Sequence, residues 1–258
     1  MDPLTRPVLR LIQRASDFAT RAACRLTVWT GKSRRPIHPK HLIDHPAVRW
    51  FLPFVKEGDR ILDVGAGIAG HARCCVAAGA QVTGLEVRLG SLQTARALGA
   101  DPSLRLVCGN AENPLPFRSD TFTGVLLLDV LEHLNTPLGT LRECRRVLKP
   151  GGWMAISLPN SETTWKRRYR RAGLPWMNDR EHKREYTWPE VVDLIESAGL
   201  QIAWGPEPIV PDTPWKGLVD LAGAVSLRLY WRLTDARVRA AARRPHESTG
   251  FRCKAIKP

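Results

Sequence analysis

From residue 60 to 158 the chain alternates short, nearly uninterrupted apolar runs with stretches of helical period, and that alternation leaves few folds open. Arg60–Val64 (RILDV) reads as a strand buried on both faces, because it is apolar almost throughout instead of alternating polar with apolar. The runs 81–87 (QVTGLEV), 104–108, 124–130 (GVLLLDV) and 153–158 repeat the pattern, with helices predicted over about 70–78, 89–98 and 137–148 between them. The last of these helices stops at Lys149-Pro150-Gly151-Gly152, a proline and glycine turn that cannot continue it. Buried strands joined by helices must pair in parallel with both faces covered, so the fold class is α/β with a doubly wound sheet. Further on, the pattern gives a helix at 188–198, a strand near 200–205, a helical stretch over 215–243 and a final strand over 250–257.

With 258 residues, 43% hydrophobic and 25% charged, the chain has the composition of a globular enzyme, which excludes a disordered chain and a fibrous repeat. The length suits one large α/β domain or at most two small ones. No apolar run reaches the ~18 uncharged residues that a transmembrane helix needs. The six cysteines show no CxxC spacing, so reduced thiols in a cytosolic compartment are expected and a structural zinc is not. The net charge of +14 is unevenly placed. Residues 1–50 carry 10 Lys/Arg against 3 Asp/Glu, residues 165–184 carry 8 against 2, and residues 228–258 carry 9 against 2, whereas residues 51–164 are neutral. The organisation expected is a basic amphipathic N-terminal extension (1–50) and a domain (51–258). A basic insertion (159–187) and an apolar and basic helical insertion (212–245) interrupt that domain.

Asp63-Val64-Gly65-Ala66-Gly67-Ile68-Ala69-Gly70 follows the first strand and opens a helix. Glycine suits a sharp turn whose backbone must come close to a ligand. Residues 65–70 spell GxGxxG, and Glu86 closes the next strand 19 residues past Gly67, where an acid takes ribose hydroxyls. A dinucleotide such as NAD fits that pattern. Asp63, however, faces the crevice where a pyrophosphate would sit and would repel it, which favours a cationic or zwitterionic ligand such as S-adenosyl-L-methionine.

Four motifs stand in order: ILDVGAG (61–67), the acid of GLEV at Glu86, GNAENPLPF (109–117), and VLLLDVLEHL (125–134) followed by LRECRRVLKPGG (141–152). With them the chain resembles the class I S-adenosylmethionine-dependent methyltransferases of the small-molecule branch, type 11 or type 12, over about residues 58–205. The resemblance implies a Rossmann-like doubly wound sheet of about seven strands, mostly parallel with an antiparallel last strand, and helices on both faces. It implies that Asp63 lies near the methionine amino group, and that Gly65 and Gly67 give backbone room. Glu86 would accept both ribose hydroxyls, Asn110, Ala111 and Glu112 would surround the adenine, and Asp129 would close the pocket. Two positions depart from the family pattern: Ala69 stands where glycine is usual, and Asn110 where aspartate is.

Methyl transfer is an in-line displacement on the sulfonium carbon, so the protein mainly orients the reactants, a contribution of ~7–11 kcal/mol. A base is needed only for a hydroxyl, thiol or protonated amine acceptor. His133, beside Glu132 just past the fourth strand, is the candidate base; the alternative is that the pair orders the loop that follows. Asp129, Glu132 and His133 also resemble the acid–x–x–Glu–His arrangement with which some quinone O-methyltransferases bind a divalent ion. His182 and Tyr186 in EHKREYT (181–187) are candidates to touch the acceptor, with local packing as the alternative. Arg167 and Arg168 in WKRRYRR (165–171) are candidates to recognise an anionic acceptor or surface, since arginine forks match phosphate and carboxylate.

Val8, Leu11, Ile12, Ala15, Phe18, Ala19 and Ala22 line one side of an N-terminal helix, and Arg10, Arg14, Arg21 and Arg25 another. Residues 217–233 are apolar but broken by Asp220, Arg228 and Arg232, with Trp215, Tyr230 and Trp231 at the ends. Such helices suit either packing on the domain or an anionic membrane interface. The expected function is methyl transfer to a small-molecule, lipid-linked or saccharide acceptor of anionic character, in the cytoplasm and peripheral to the inner face of a membrane. A nucleic-acid methyltransferase is less favoured, because Asp129-Val130-Leu131-Glu132 stands where a tetrapeptide for a flipped base would follow the fourth strand. A non-catalytic cofactor-binding or membrane-adaptor subunit need not keep Asp63 and Glu86 together.

Overall fold

In a computed structural model, residues 5–99, 101–177 and 179–258 are described; the first four residues of the expected extension lie outside them, as do Ala100 and Asn178. The strands are β1 (Arg60–Val64), β2 (Gln81–Glu86), β3 (Leu104–Cys108), β4 (Phe122–Leu128), β5 (Leu148–Pro159), β6 (Gln201–Pro208) and β7 (Gly250–Ile256). The helices are α1 (Thr5–Trp29), α2 (Gly70–Ala77), α3 (Leu89–Ala97), α4 (Pro137–Val147), α5 (Thr164–Arg171), α6 (Trp188–Ser197), α7 (Lys216–Val225) and α8 (Leu227–Arg243).

All seven strands form one sheet in the order β3-β2-β1-β4-β5-β7-β6. β1 is parallel to β2 and β4, β2 to β3 and β4 to β5, while β7 enters antiparallel. Period-two alternation sends Leu62, Val64, Val125 and Leu127 into one core cluster and Ile61, Leu126 and Ala155 into another, so both faces are covered. The strand order reverses between β1 and β4, and open α/β sheets bind ligands in the crevice at the carboxyl ends of such strands.

The chain divides into two compact units. A sheet unit comprises Trp50–Asn160, Asp179–Glu207 and Phe251–Pro258, and a helical unit comprises Met1–Arg49, Ser161–Asn178 and Pro208–Gly250. The three basic segments, separate in sequence, thus fall largely into one unit. Two of its elements differ from the sequence expectation. Residues 164–171, read as aperiodic, form α5; its sequence TWKRRYRR holds no aliphatic side chain to set a period, and the Thr163 hydroxyl accepts from the Lys166 N–H at 3.2 Å to start it. The single helical stretch over 215–243 splits at Ser226, whose extended backbone ends α7 and whose hydroxyl accepts from the Leu229 N–H to begin α8.

The buried face of α1 also differs. Leu9, Ser16, Ala19, Ala23 and Thr27 are buried, and of the expected apolar side only Ala19 is among them. The reason is how closely α7 approaches. A Cβ placed on Gly217 would lie 2.4 Å from the Ser16 carbonyl oxygen and 2.7 Å from the Ala19 Cβ, so only small side chains fit between the two helices. Further along the same contact, the Thr20 hydroxyl donates to the buried Asp220 carboxylate at 2.8 Å, and the Tyr230 hydroxyl donates to it from α8 at 3.4 Å. Gly217→Val should therefore destabilise the protein by about 1–3 kcal/mol through overpacking, read as a lower urea midpoint by circular dichroism. An unchanged midpoint would disprove the close approach.

Candidate functional site

The loop after β1 takes its shape from backbone conformations that favour glycine. Gly65 and Gly67 have φ of +72° and +54°. The N–H groups of Gly65 and Ala66 both donate to the Leu85 carbonyl of β2, at 2.8 and 3.0 Å. Side-chain space is closed as well, since a Cβ on Gly65 would lie 2.6 Å from a Val130 methyl. The carboxylate of Glu86, buried at the end of β2, locks this arrangement. Its Oε2 accepts from the Gly67 N–H at 2.9 Å and its Oε1 from the Arg88 N–H at 2.8 Å.

A cavity of about 490 Å³ opens at the carboxyl ends of β1, β2 and β4, within the ~300–1,000 Å³ of small-molecule sites. Gly65, Glu86, Asn110, Ala111, Glu112, Asp129 and His133 line it together with apolar Leu85, Val87, Val130 and Leu134. Six of the eight cofactor-binding candidates and the candidate base therefore converge here. Gly67 acts from behind, through its bond to Glu86. Asp129 directly follows β4 at φ +55°, with Oδ1 accepting from the Ser157 hydroxyl at 2.9 Å. The Asn110 side-chain oxygen accepts from the Glu112 N–H at 2.9 Å, which fixes the turn that carries Ala111.

Other candidates are placed differently from the expectation. The Glu112 carboxylate faces the start of α4, where it accepts from the N–H groups of Asn135 and Thr136 at 2.7 and 2.8 Å and from both their side chains. Those donors hold it below the usual carboxylate range, the Thr136 N–H foremost. Asp63 is buried and does not reach the cavity lining. The Ala72 N–H in the first turn of α2 bonds it, while its Oδ2 has no partner among the described residues, and burial raises it to about 7. Tyr186 is buried in the core with its hydroxyl 3.4 Å from the Leu131 carbonyl, so it packs and does not face the cavity. Arg167 and Arg168 lie on α5 of the helical unit. There Arg167 donates to the Thr164 hydroxyl and approaches Glu247 at 3.8 Å, and Arg168 lies over the Trp165 ring.

His133 and His182, 49 positions apart in the chain, meet edge to face with ring centroids 4.8 Å apart. His133 Nδ1 lies 3.4 Å from the Glu181 carbonyl. His182 Nδ1 is bonded to the buried Glu185 at 2.9 Å, and its Nε2 lies 3.9 Å from Glu132. One ligand atom from each of Glu132, His133 and His182 falls within 4.8 Å of the others, so the three could hold a metal ion, with His182 in place of Asp129. The sequence reading also missed Arg88 and Lys183 on the cavity lining. Arg88, two residues after the acid of the second motif, could have been found from its position; nothing local marks Lys183.

Residues 62–156 match a family described as a methyltransferase domain. Over these residues the sheet unit is similar to the class I methyltransferase domains. S-adenosylmethionine is the cofactor of that class, and Glu86 fits it, because each carboxylate oxygen keeps a lone pair for one hydroxyl of a vicinal diol. The chain is 29% identical over 160 residues to the ubiquinone biosynthesis O-methyltransferase of Bordetella avium, a match covering 60% of this chain and 65% of that protein. To the protein of the same name in Vibrio cholerae it is 34% identical over 105 residues, covering 40% and 43%. The match thus spans less than two thirds of either relative. Among solved structures, the [4+2]-cyclase SpnF aligns with TM-score 0.58 at 21% identity, covering 82% of each chain. An S-adenosylmethionine-dependent methyltransferase from Mesorhizobium loti aligns with TM-score 0.56 at 19% identity, covering 82% of this chain and 96% of that one. These likenesses establish the methyltransferase fold; one of these proteins is named a cyclase, and fold does not fix reaction.

The raised pKa of Asp63 makes a stability prediction. An unfolded aspartate titrates near 3.8 and the folded one near 7, so this group removes stability as pH rises through that window. Asp63→Asn keeps an acceptor for the Ala72 N–H and removes the buried charge. Its melting temperature should exceed that of the wild type by a margin that grows from pH 4 to pH 7 and then levels off. A margin independent of pH would show that Asp63 is not raised.

Proposed function

We propose that the protein transfers the methyl group of S-adenosylmethionine to a hydroxyl oxygen of a small-molecule acceptor. The observation that carries this is the pairing, on one cavity, of a Glu86 carboxylate with two lone pairs left over and a histidine at its rim. Two relatives are named O-methyltransferases, which favours oxygen as the acceptor atom. Arg88 and Lys183 on the lining favour an anionic acceptor. A lipid-linked acceptor would present its hydroxyl at a membrane surface.

When bound, S-adenosylmethionine supplies an electrophilic methyl group on sulfur. Glu86 accepts the ribose hydroxyls, in charge-assisted bonds worth ~1.5–3 kcal/mol each. The Asn110–Ala111 turn flanks the adenine, and Gly65 lets the backbone approach. Asp63 acts from beneath, holding the first turn of α2 and with it the loop. His133 takes the acceptor's proton: with Nδ1 donating to the Glu181 carbonyl, Nε2 is left as the basic nitrogen. The Glu132–His133–His182 cluster favours a second reading, in which these three residues hold a divalent ion and Glu185 orients His182 from behind, as second-shell carboxylates do.

Calorimetric titration with S-adenosylhomocysteine, with NAD and NADP in parallel, tests the cofactor. Binding of the homocysteine alone is expected, and Glu86→Ala should weaken it at least about tenfold. Binding of a dinucleotide in its place would overturn the proposal. In turnover with phenolic acceptors, His133→Asn should lower kcat and leave S-adenosylhomocysteine affinity unchanged. Loss of turnover on dialysis against a chelator, restored by a divalent ion, would assign the cluster to a metal and His133 to its ligation.

A further inference from the structure

Where they face each other, α1 and α7 of the helical unit invert ordinary amphipathic packing, in which large apolar side chains turn inward. α1 packs through Ser16, Ala19 and Ala23, while Leu11 and Phe18 are each 69% exposed and Trp29 is 91% exposed. At 100° per residue, positions 11, 18 and 29 fall within about 20° of one line along the helix. Arg14, Arg21 and Arg25 are exposed in the neighbouring sector. α7 repeats the arrangement: Gly217, Gly223 and Ala224 are buried, and Leu218 and Val225 are exposed, as is Trp215 just before the helix. On α8, exposed Trp231 joins Leu42, Ile43 and Leu227 around an apolar hollow of about 440 Å³ that Arg228 and Arg232 border. No helix among the described residues is long and apolar enough to cross a membrane.

We propose that this unit docks peripherally on an anionic bilayer, with Leu11, Phe18 and Trp29 lying at the headgroup–acyl boundary and Arg14, Arg21 and Arg25 on lipid phosphates. Charge complementarity selects that occupant. A second copy of this chain would bring one arginine-flanked stripe against another at a net charge of +14 per chain, whereas lipid phosphates neutralise the arginines. Three exposed tryptophans suit the interface, where an apolar ring and a polar N–H are both satisfied. The docking surface serves a lipid-linked acceptor of the kind proposed above, yet it stands on the helical unit alone.

The test is co-sedimentation of the full chain with phosphatidylcholine vesicles, with and without phosphatidylglycerol. Binding is expected only where phosphatidylglycerol is present, and it should weaken as salt is raised. The double variant Leu11→Ser/Phe18→Ser should lower the partition coefficient at least about tenfold. Each of Arg14→Gln and Arg21→Gln should lower it about fivefold. Because Leu11 and Phe18 are exposed, the double variant should keep the wild-type melting curve and the wild-type affinity for S-adenosylhomocysteine. No binding to phosphatidylglycerol vesicles, or equal binding by wild type and double variant, overturns the proposal. A wild-type dimer in light scattering that the double variant converts to monomer also overturns it, assigning the stripe to a second copy. Vesicle binding by a protein that fails to bind S-adenosylhomocysteine would sink the methyltransferase reading and leave the docking surface standing.

Discussion

The Glu86 carboxylate is the joint on which the cavity depends. It bonds the N–H of Gly67 in the loop after β1 and the N–H of Arg88 after β2, so it fixes two neighbouring strand ends at once. Parallel strands leave their carboxyl-terminal loops unpaired by the sheet itself, and those loops would otherwise be free to shift. A carboxylate is suited to this because it offers about four lone-pair sites, and two backbone donors occupy only half of them. The same group can therefore build the loop and still receive a diol, which couples the shape of the site to the acid that reads its ligand.

Two other carboxylates show how environment divides chemically similar groups. Glu112 is half-buried and bonded by four donors at the start of α4, a helix with no side-chain cap of its own at Thr136. It stays charged because those donors stabilise the ionised form. Asp63 has burial against it and an N–H bond from Ala72 for it, and burial dominates. Glu112 ties the wall that carries Ala111 to the next helix, and Asp63 ties β1 to α2 beneath the loop. Glu112 and Asp63 thus hold elements next to the cavity, and Glu86 presents two uncommitted lone pairs to it.

The parts of this arrangement legible in the sequence are those set by local pattern. Apolar runs gave the parallel strands, and the glycines with Glu86 gave the loop, because hydrophobic period and backbone freedom act over a few residues. The contacts that reassigned residues run over long separations. Glu112 finds its donors 23 and 24 positions away, and Tyr186 finds the Leu131 carbonyl 55 positions away. His182 comes to His133 only because the N–H groups of Lys183 and Arg184 both donate to the Glu132 carbonyl, which pins the later segment under the β4 loop. No spacing rule reaches that far. The face of α1 was misread for a related reason: a periodicity argument assumes that the larger apolar side chains pack, and Gly217 reverses the choice.

That reversal has an energetic cost within the free chain. Burying a leucine or phenylalanine side chain contributes roughly 1.5–3 kcal/mol, and α1 forgoes this for Leu11 and Phe18. What α1 and α7 gain in return is close backbone approach, with dispersion contacts and the Thr20–Asp220 bond inside the seam. Small residues inside and large ones outside is the arrangement by which helices associate in an apolar solvent, where large side chains have no reason to turn inward. Here the outer residues are interleaved with arginines, so the surrounding they match is half apolar and half anionic. A bilayer interface has both properties within a few ångströms, and it would return the apolar burial that the fold leaves unused.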